Sequence, residues 1–185
     1  MSRLDETRPF VPVRIAILTV SDTRSPTDDK SGDMLQSRLT EAGHELVARD
    51  IVIDEQKNIC AVLTSFIEST NVDCVISTGG TGLTGRDVTP EAFRSVFEKE
   101  IDGFGEMFRF LSFQKIGTST LQSRAVAGVA GGTYLFALPG SPSACIDAWD
   151  NLLVHQLDYR HRPCNFVEIM PRLKETGLSG RTSGK

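Results

Sequence analysis

The amino-acid sequence predicts a three-layer α/β domain with a mostly parallel, partly mixed sheet. Short apolar runs rich in β-branched residues alternate along the chain with segments whose apolar residues recur at helical spacing. The run at 13–21, VRIAILTVS, is nearly continuous, as is typical of strands covered on both faces of a parallel sheet. In such folds ligands bind beyond the carboxyl ends of the strands, so we expect a functional site at that edge.

The first half of the chain continues with a helix, a strand and a second helix. Apolar residues at helical spacing predict a helix over 31–42, and Gly43 is suited to end it. The second strand is predicted over 45–53. Asp54 then occupies the N-cap position of a helical pattern over 59–67.

A third buried strand is predicted over 72–78, and it runs directly into a glycine-rich segment at 79–85. The sequence Thr-Pro-Glu at 89–91 predicts a helix start, with a hydroxyl cap, a proline at the first helical position and an acid in the first turn. A further helix is predicted over 103–113.

The last predicted elements are two strands and a helix. The strands, 125–130 and 134–138, are separated by two glycines at 131–132, so they either pair as a hairpin or lie apart in the sheet. The sequence Pro-Gly-Ser-Pro at 139–142 then turns into a helix over 143–157.

Residues 13–171 are predicted to form one domain, preceded by an N-terminal arm, 1–12, and followed by a flexible tail, 172–185. The formal charge of -4 argues against a nucleic-acid partner. The arm has no secretory signal, and no later run approaches membrane-spanning length. The four cysteines show no CxxC spacing. We therefore expect a cytoplasmic protein with neither a zinc site nor a disulfide framework.

The most informative segment is 77–91, STGGTGLTGRDVTPE, a glycine-dense loop between a buried strand and a helix. Glycines let backbone amides converge on phosphate oxygens, and the following helix start adds partial positive charge. A sharp turn is the alternative, but a turn needs one or two glycines, and this loop has four within seven residues. The pattern favours phosphate binding at Gly79, Gly80, Thr81 and Gly82.

Two familiar phosphate-binding motifs nearly fit this loop, and both are rejected. Its GxGxxG pattern follows the third strand rather than the first, and the helix begins too late for a dinucleotide-binding fold. Arg86 and Asp87 replace the lysine and the magnesium-binding hydroxyl of the Walker motif. Arg86 is suited to phosphate and Asp87 to magnesium. A structural salt bridge is the alternative for this pair.

Parallel topology brings Asp54, at the end of the second strand, to the same edge as Asp87. Two carboxylates near phosphate-binding amides predict a magnesium clamp on a nucleotide. A simple N-cap is the alternative for Asp54. Ser21 and Asp22 end the first strand, where turn residues are the alternative to site residues. Ser141 is placed to cap a helix and to present its amide to an anion.

Several motifs in a fixed order resemble the MoaB/MogA family of molybdenum cofactor proteins. They are TVSDTR, Asp54-Glu55, GGTGLTGRDVTPE, GFGEMFR, STLQSRAVAG and LPGSP. The resemblance covers residues 12–171 and implies a compact α/β/α domain that transfers the adenylyl group of ATP to molybdopterin, releasing pyrophosphate. It also implies that Asp54 and Asp87 serve magnesium binding and catalysis.

On the same resemblance, residues from the whole length of the domain surround one cleft for ATP and molybdopterin. Besides Gly79, Gly80, Thr81, Gly82 and Arg86, these are Thr19, Ser21, Asp22, Glu106, Ser123, Arg124, Pro139, Gly140 and Ser141. The stretches 111–130 and 162–166 look more like MoaB than MogA. Some MoaB proteins resemble the family in fold yet lack activity, so a non-catalytic protein that binds molybdopterin or a partner is the alternative.

The segment from 104 to 113 is more apolar than one helix face can bury in a small domain. Its apolar residues are Phe104, Met107, Phe108, Phe110, Leu111 and Phe113. Together with the resemblance, they predict a closed homo-oligomer, either a trimer or a hexamer made from two trimers. Other enzymes of molybdenum cofactor synthesis are further expected partners.

Overall fold

The computed structural model describes residues 3–175, which form a six-stranded sheet and a separate two-stranded ribbon. The strands are β1 (Arg3–Leu4), β2 (Arg14–Val20), β3 (Glu45–Val52), β4 (Cys74–Thr78), β5 (Lys99–Glu100), β6 (Val126–Ala130), β7 (Thr133–Leu138) and β8 (His161–Arg162). The helices are α1 (Lys30–Glu41), α2 (Gln56–Glu68), α3 (Thr89–Val96), α4 (Asp102–Ile116), α5 (Pro142–Ala148), α6 (Val154–Gln156) and α7 (Phe166–Ile169).

The six-stranded sheet has a parallel centre and an antiparallel edge. Its strand order is β3-β2-β4-β7-β6-β5, and the neighbours among β3, β2, β4 and β7 run parallel. β6 is antiparallel to β7, and β5 is antiparallel to β6. Helices cover both faces of this sheet, so the predicted three-layer α/β fold with a mostly parallel, partly mixed sheet is confirmed.

β6 and β7 form a hairpin, which settles the arrangement that the sequence left open. Val126 pairs with Ala137 at the far end of the ladder. Gly131 and Gly132 make the turn with φ values of 56° and 83°. A two-residue turn with positive φ at both positions matches the twist of the flanking strands, and glycine adopts it at no steric cost.

Two hydrophobic clusters, one on each face of the sheet, hold the three layers together. Along β2, Ile15 and Ile17 belong to the first cluster, while Ala16 and Leu18 belong to the second. The first cluster includes buried side chains of α1, α4 and α5, and the second those of α2 and α3. Side chains alternate between the faces of a strand, so covering both faces requires the continuous apolar run seen in the sequence.

Helix ends differ from the expected ones by a few residues, and the last predicted helix is interrupted. α1 begins at Lys30 because the Asp29 side chain accepts a hydrogen bond from Gly32 N and caps the helix. The helix predicted over 143–157 consists of α5, a π-helical segment at Trp149–Leu153 and α6. 3₁₀ segments lie at Gly117–Gln122 and Met170–Arg172.

The two ends of the described region pack against the domain. β1, in the predicted arm, pairs antiparallel with β8, and Leu173 packs against the first hydrophobic cluster. Of the predicted tail, 172–185, residues 176–185 lie outside the described residues. Within 3–175, no helix has both the length and the apolar character needed to cross a membrane.

Candidate functional site

The candidate site lies at the edge of the sheet where the four parallel strands end. Ser21 and Asp22 follow β2, Asp54 lies just beyond β3, Gly79 follows β4 and Pro139 follows β7. Because parallel strands present their carboxyl ends at one edge, residues far apart in the sequence meet here, as expected.

A cleft of about 450 Å³ opens beside the glycine loop, which we define as residues 79–85. The predicted site residues that line it are Gly80, Thr81, Gly82, Asp87, Ser123, Pro139, Gly140 and Ser141. Sequence reasoning missed Phe108, Ser112, Ile116, Gln122 and Ala144, which also line it. Phe108, Ser112 and Ile116 recur every four residues on α4, a spacing that is equally typical of a helix packed on a core.

Close packing requires glycine at the start of the loop. Gly79 has a φ of 102°, and a Cβ there would lie 2.1 Å from the last carbonyl oxygen of β2. Gly80 has a φ of 64°, and a Cβ there would lie 2.4 Å from Asp54 Oδ2 and 2.3 Å from Thr89 Oγ1. The amide of Gly79 donates to Leu138 O at 3.0 Å, so it serves the sheet and not the cleft.

Asp54 is 7% exposed and lies against the glycine loop. Its Oδ1 accepts a hydrogen bond from Val88 N at 3.2 Å, and its own amide donates to Asp22 Oδ1 at 3.0 Å. The N-cap of α2 is Glu55, so the N-cap alternative for Asp54 is wrong. Burial raises the pKa of Asp54, and the charges of Asp87 and Asp22 raise it further.

Asp87 lies inside the bend of the glycine loop and organises it. Its Oδ2 accepts hydrogen bonds from Thr84 N at 2.9 Å and from Thr84 Oγ1 at 2.5 Å. Partial burial raises the pKa of Asp87, but the hydrogen bonds from Thr84 and Gly82 and the charge of Arg124 outweigh it and lower the pKa. The pKa values of Asp54 and Asp87 thus shift in opposite directions, as environments in functional sites often cause.

Arg86 and Asp22 form an exposed ion pair between the glycine loop and the end of β2. Arg86 Nη2 lies 2.8 Å from Asp22 Oδ1, and Arg86 Nε lies 3.1 Å from Asp22 Oδ2. The sequence left a structural salt bridge open as an alternative role for Arg86 and Asp87. Arg86 does form such a salt bridge, and its partner is Asp22. Asp87 is bound by the loop instead.

Arg124 holds the glycine loop in place and does not line the cleft. Its Nε donates to Gly82 O at 2.8 Å and its Nη2 donates to Asp87 O at 2.7 Å. Its Nη1 pairs with Glu91 on α3. Arg124 therefore fixes both ends of the segment that carries Asp87.

Asp54, Gly79 and Arg86 do not line the cleft either, and two further predicted site residues lie away from it. Glu106 is exposed on α4, on the opposite side of the helix from the lining residue Phe108. Thr19 is fully buried, and its hydroxyl donates to Asp29 Oδ2 at 2.7 Å. The motifs that suggested both residues gave no information about which way their side chains point.

Three buried hydroxyl groups near the glycine loop form no hydrogen bond with any residue in 3–175. They belong to Ser77 on β4, to Thr89, which faces Gly80, and to Ser123, which lines the cleft. Thr89 was expected to cap α3, but the N-cap is Val88 and no side chain caps that helix. Buried hydroxyls are normally paired, so the hydroxyl of Ser123, which lines the cleft, is available to a bound polar ligand.

A second cleft, of about 610 Å³, lies where β2 and β3 end. Ser21 and Asp22 line it together with Arg24, Arg49 and Ile53, among others. Sequence reasoning missed both arginines, because their partners are distant in the sequence. In the described part of the chain, no group of three or more His, Cys, Asp and Glu side chains is arranged to hold a metal ion.

Known proteins resemble this chain over nearly its whole length. A family model described as "Probable molybdopterin binding domain" matches residues 16–159. "Molybdenum cofactor biosynthesis protein B" of Escherichia coli (strain K12) is 54% identical over 166 residues, which are 90% of this chain and 96% of that protein.

Solved structures show the same fold. A crystal structure of Molybdenum cofactor biosynthesis protein B is 38% identical with a TM-score of 0.82, covering 90% of this chain and 98% of that one. The tungsten cofactor synthesizing protein MoaB from Pyrococcus furiosus is 31% identical with a TM-score of 0.71, covering 89% and 98%. By its fold and by these matches, this chain belongs to the MoaB/MogA family of molybdenum cofactor biosynthesis proteins.

Proposed function

We propose that this protein transfers the adenylyl group of ATP to the terminal phosphate of molybdopterin. The observation that carries the proposal is the meeting of Asp54, Asp87 and the glycine loop at the carboxyl edge of the sheet, beside a cleft of about 450 Å³. Two carboxylates with oppositely shifted pKa values next to a glycine loop suit the handling of phosphate groups and their counter-ions.

The reaction needs little covalent help from the protein. A phosphate oxygen of molybdopterin attacks the α-phosphorus of ATP. The bond from that phosphorus to the bridging oxygen of the β-phosphate breaks, and pyrophosphate leaves with the electron pair. The attacking phosphate is already ionised near neutral pH, so no general base is required. The task of the protein is therefore to align the two substrates and to neutralise their charge.

Asp54 and Asp87 fit a magnesium ion by their chemistry, because hard cations prefer carboxylate oxygens. No residue in 3–175 donates a hydrogen bond to Asp54 Oδ2. The raised pKa of Asp54, caused by burial and by the charges of Asp87 and Asp22, marks a place where a cation would be favoured. When bound, magnesium would neutralise charge on the phosphates of ATP.

The remaining groups of the cleft would orient the substrates. Gly80 and Gly82 place main chain at the cleft surface, where no side chain keeps a phosphate at a distance. The unpaired hydroxyl of Ser123, which lines the cleft, is available as a hydrogen-bond donor to phosphate or pterin oxygens. Gly140 and Ser141 form the wall of the cleft beyond β7.

A non-catalytic protein that binds molybdopterin is the second candidate. It is favoured by the bonds already made in the loop, since Arg86 is paired with Asp22 and the amide of Thr84 donates to Asp87. These groups would have to exchange partners before they could hold the phosphates of ATP.

One assay separates the two candidates. Purified protein is incubated with molybdopterin, ATP and magnesium, and pyrophosphate and adenylyl-molybdopterin are both quantified. Adenylyl transfer predicts equal amounts of the two products, and none when magnesium is chelated. Tight binding of molybdopterin without either product would overturn the enzymatic proposal in favour of the binding protein.

A further inference from the structure

Asp29 is a fully buried carboxylate outside both clefts, and four groups compensate its charge. Thr19 Oγ1 donates to its Oδ2 at 2.7 Å and Gly32 N donates to its Oδ1 at 3.0 Å. Arg49 Nη2 lies 2.9 Å from Oδ2, and Arg24 Nη1 lies 3.7 Å from Oδ1. A buried charge is costly unless it is paired, so this set of partners keeps Asp29 ionised in the core.

The backbone at Gly32 packs closely against the Asp29 carboxylate. A Cβ at Gly32 would lie 2.0 Å from Asp29 Oδ2 and 2.8 Å from Arg49 Nη2. The first turn of α1 therefore approaches the carboxylate as closely as glycine allows. Such tight packing restricts the Asp29 carboxylate and the Arg49 guanidinium to one arrangement.

Arg24 connects this buried charge to the wall of the 450 Å³ cleft. Its Nη2 donates to Gly140 O at 2.9 Å, and Ser31 Oγ donates to the same oxygen at 2.7 Å. A trans peptide is planar, with its carbonyl and amide on opposite sides. Because Gly140 O points at Arg24 and Ser31, the N–H of Ser141 points away from them. Arg24 and Ser31 therefore fix the orientation of a peptide that lines the cleft.

We propose that Asp29 is a positioning residue for the cleft: it holds Arg24, and Arg24 orients the Gly140–Ser141 peptide for substrate binding. The part of this inference that concerns molybdopterin rests on the proposed function. Through Arg49, the same carboxylate also fixes a side chain that lines the second cleft.

Three variants test this role. Asp29→Asn keeps the shape and an acceptor for Gly32 N but removes the charge that holds Arg24. Arg24→Gln breaks the link to Gly140 while leaving Asp29 and its other partners in place. Asp33→Asn is the matched control, because Asp33 pairs with Arg49 at 2.7 Å on the surface and, within residues 3–175, forms no hydrogen bond or ion pair with Arg24.

The first readout is the backbone amide resonance of Ser141 in the ligand-free protein, which does not depend on any activity. We expect it to shift in Asp29→Asn and in Arg24→Gln, and to stay in place in Asp33→Asn. If Asp29→Asn does not fold, Arg24→Gln carries the test alone, since the Arg24 side chain is partly exposed. An unchanged Ser141 resonance in folded Arg24→Gln would overturn the proposal.

The second readout is steady-state adenylyl transfer, measured well below the melting temperature of each variant. We expect the KM for molybdopterin to rise about tenfold in Asp29→Asn and Arg24→Gln with kcat nearly unchanged, since the peptide contributes to binding. A purely stabilising role would lower the melting temperature and leave KM as it is, which would also overturn the proposal. A wild-type protein without activity would contradict the proposed function, and calorimetric binding of molybdopterin would then replace KM.

Discussion

Asp54 and Asp87 both lie against the glycine loop but have different surroundings. Asp54 is desolvated and close to other negative charges, and both effects raise its pKa. Asp87 is bound by donors of its own loop, and its pKa is lowered although burial opposes this. Asp54 therefore gains more from an external cation, while the Asp87 carboxylate is already stabilised and fixed by its own loop.

Asp87→Asn should reduce adenylyl transfer by about a hundredfold or more, because the amide retains the shape but loses the charge that magnesium needs. Asp54→Asn should behave alike. The double variant should lose less transition-state stabilisation than the sum of the two single losses, since both residues would bind one ion. Initial rates at limiting magnesium, together with molybdopterin affinity, make the measurement.

The control for this pair is Asp33→Asn, a surface carboxylate outside both clefts, which should leave the rate unchanged. Molybdopterin affinity should survive in all of these variants. Near-normal transfer by Asp87→Asn at limiting magnesium would contradict the two-carboxylate arrangement.

His44 should make the stability of the protein depend on pH. Burial lowers the pKa of His44 to about 4, against 6.5 for an exposed histidine, and its Nδ1 accepts a hydrogen bond from Val13 N at 3.2 Å. The unfolded chain binds this proton more readily, so stability should fall by about 3 kcal/mol as the pH drops from 6.5 to 4. Urea unfolding across this pH range measures the slope.

The comparison for His44 is the variant His44→Gln, which has no titrating group at that position. It should lose the part of the pH dependence between 4 and 6.5 that comes from His44. A slope should remain, because the pKa values of His161, Asp29, Asp73 and Asp158 are also lowered in the folded protein. If the free energy of unfolding changed equally with pH in the wild type and in His44→Gln, His44 would not be the cause of the pH dependence.

At the residue scale, the sequence predicted which residues follow the strands and so lie at the carboxyl edge of the sheet. It did not predict the direction of individual side chains or their contacts. Asp54, Asp87 and Ser141 could be placed because parallel strands bring their carboxyl ends together. The bond from Arg24 to Gly140 joins positions 116 residues apart, and no local pattern encodes it. Thr19 and Glu106 were placed by motif alone, and their side chains point elsewhere.

At the scale of elements, two glycines of the glycine loop are expected to respond differently to substitution. Gly82→Val should abolish nucleotide binding, because a Cβ at this position would lie 2.8 Å from Asp87 Oδ2 and would displace that carboxylate. The fold should survive, since the backbone of Gly82 does not have the positive φ that disfavours side chains. Calorimetric titration with ATP and magnesium makes the measurement.

Gly85→Ala is the matched control in the same loop. A Cβ at Gly85 would meet no atom within 4 Å, so this variant should bind ATP as the wild type does. Unchanged ATP affinity in folded Gly82→Val would remove the glycine loop from the site.

Helices and strands with strong periodicity could be predicted, and short elements could not. The strand at 72–78 and the hairpin glycines were visible because apolar runs and turn residues mark them. β1, β5 and β8 have two residues each, too few to show any alternation. The π-helical segment at Trp149–Leu153 interrupts a helix whose sequence pattern continues through it.

For the whole molecule, we expect a closed homo-oligomer, a trimer or a hexamer of two trimers. Phe104 and Phe108 of α4 are buried in the domain, but Met107, Phe110 and Phe113 are 48%, 59% and 55% exposed. Apolar side chains exposed together on one helix are typical of a surface that another molecule covers. Light scattering at micromolar concentration should give a multiple of the 20.2 kDa chain mass.

Substitutions on α4 test whether that helix is the contact. The double variant Phe110→Glu and Phe113→Glu should dissociate the oligomer, because the introduced charges would be buried without partners. Ile169→Glu changes an exposed apolar residue outside α4 and should leave the mass unchanged. A strictly monomeric wild-type protein would contradict the expected assembly.

The open edge of β3 affects how copies of this protein can associate. It ends the strand order, so one side of its eight-residue backbone pairs with no other strand within 3–175. An open edge of this length can template a strand from a second molecule and so grow into fibres. Glu45 and Asp50 place exposed charges along it, and another strand docked there would remove water from them. Growth by sheet extension is therefore penalised, and association through helices can remain closed and finite.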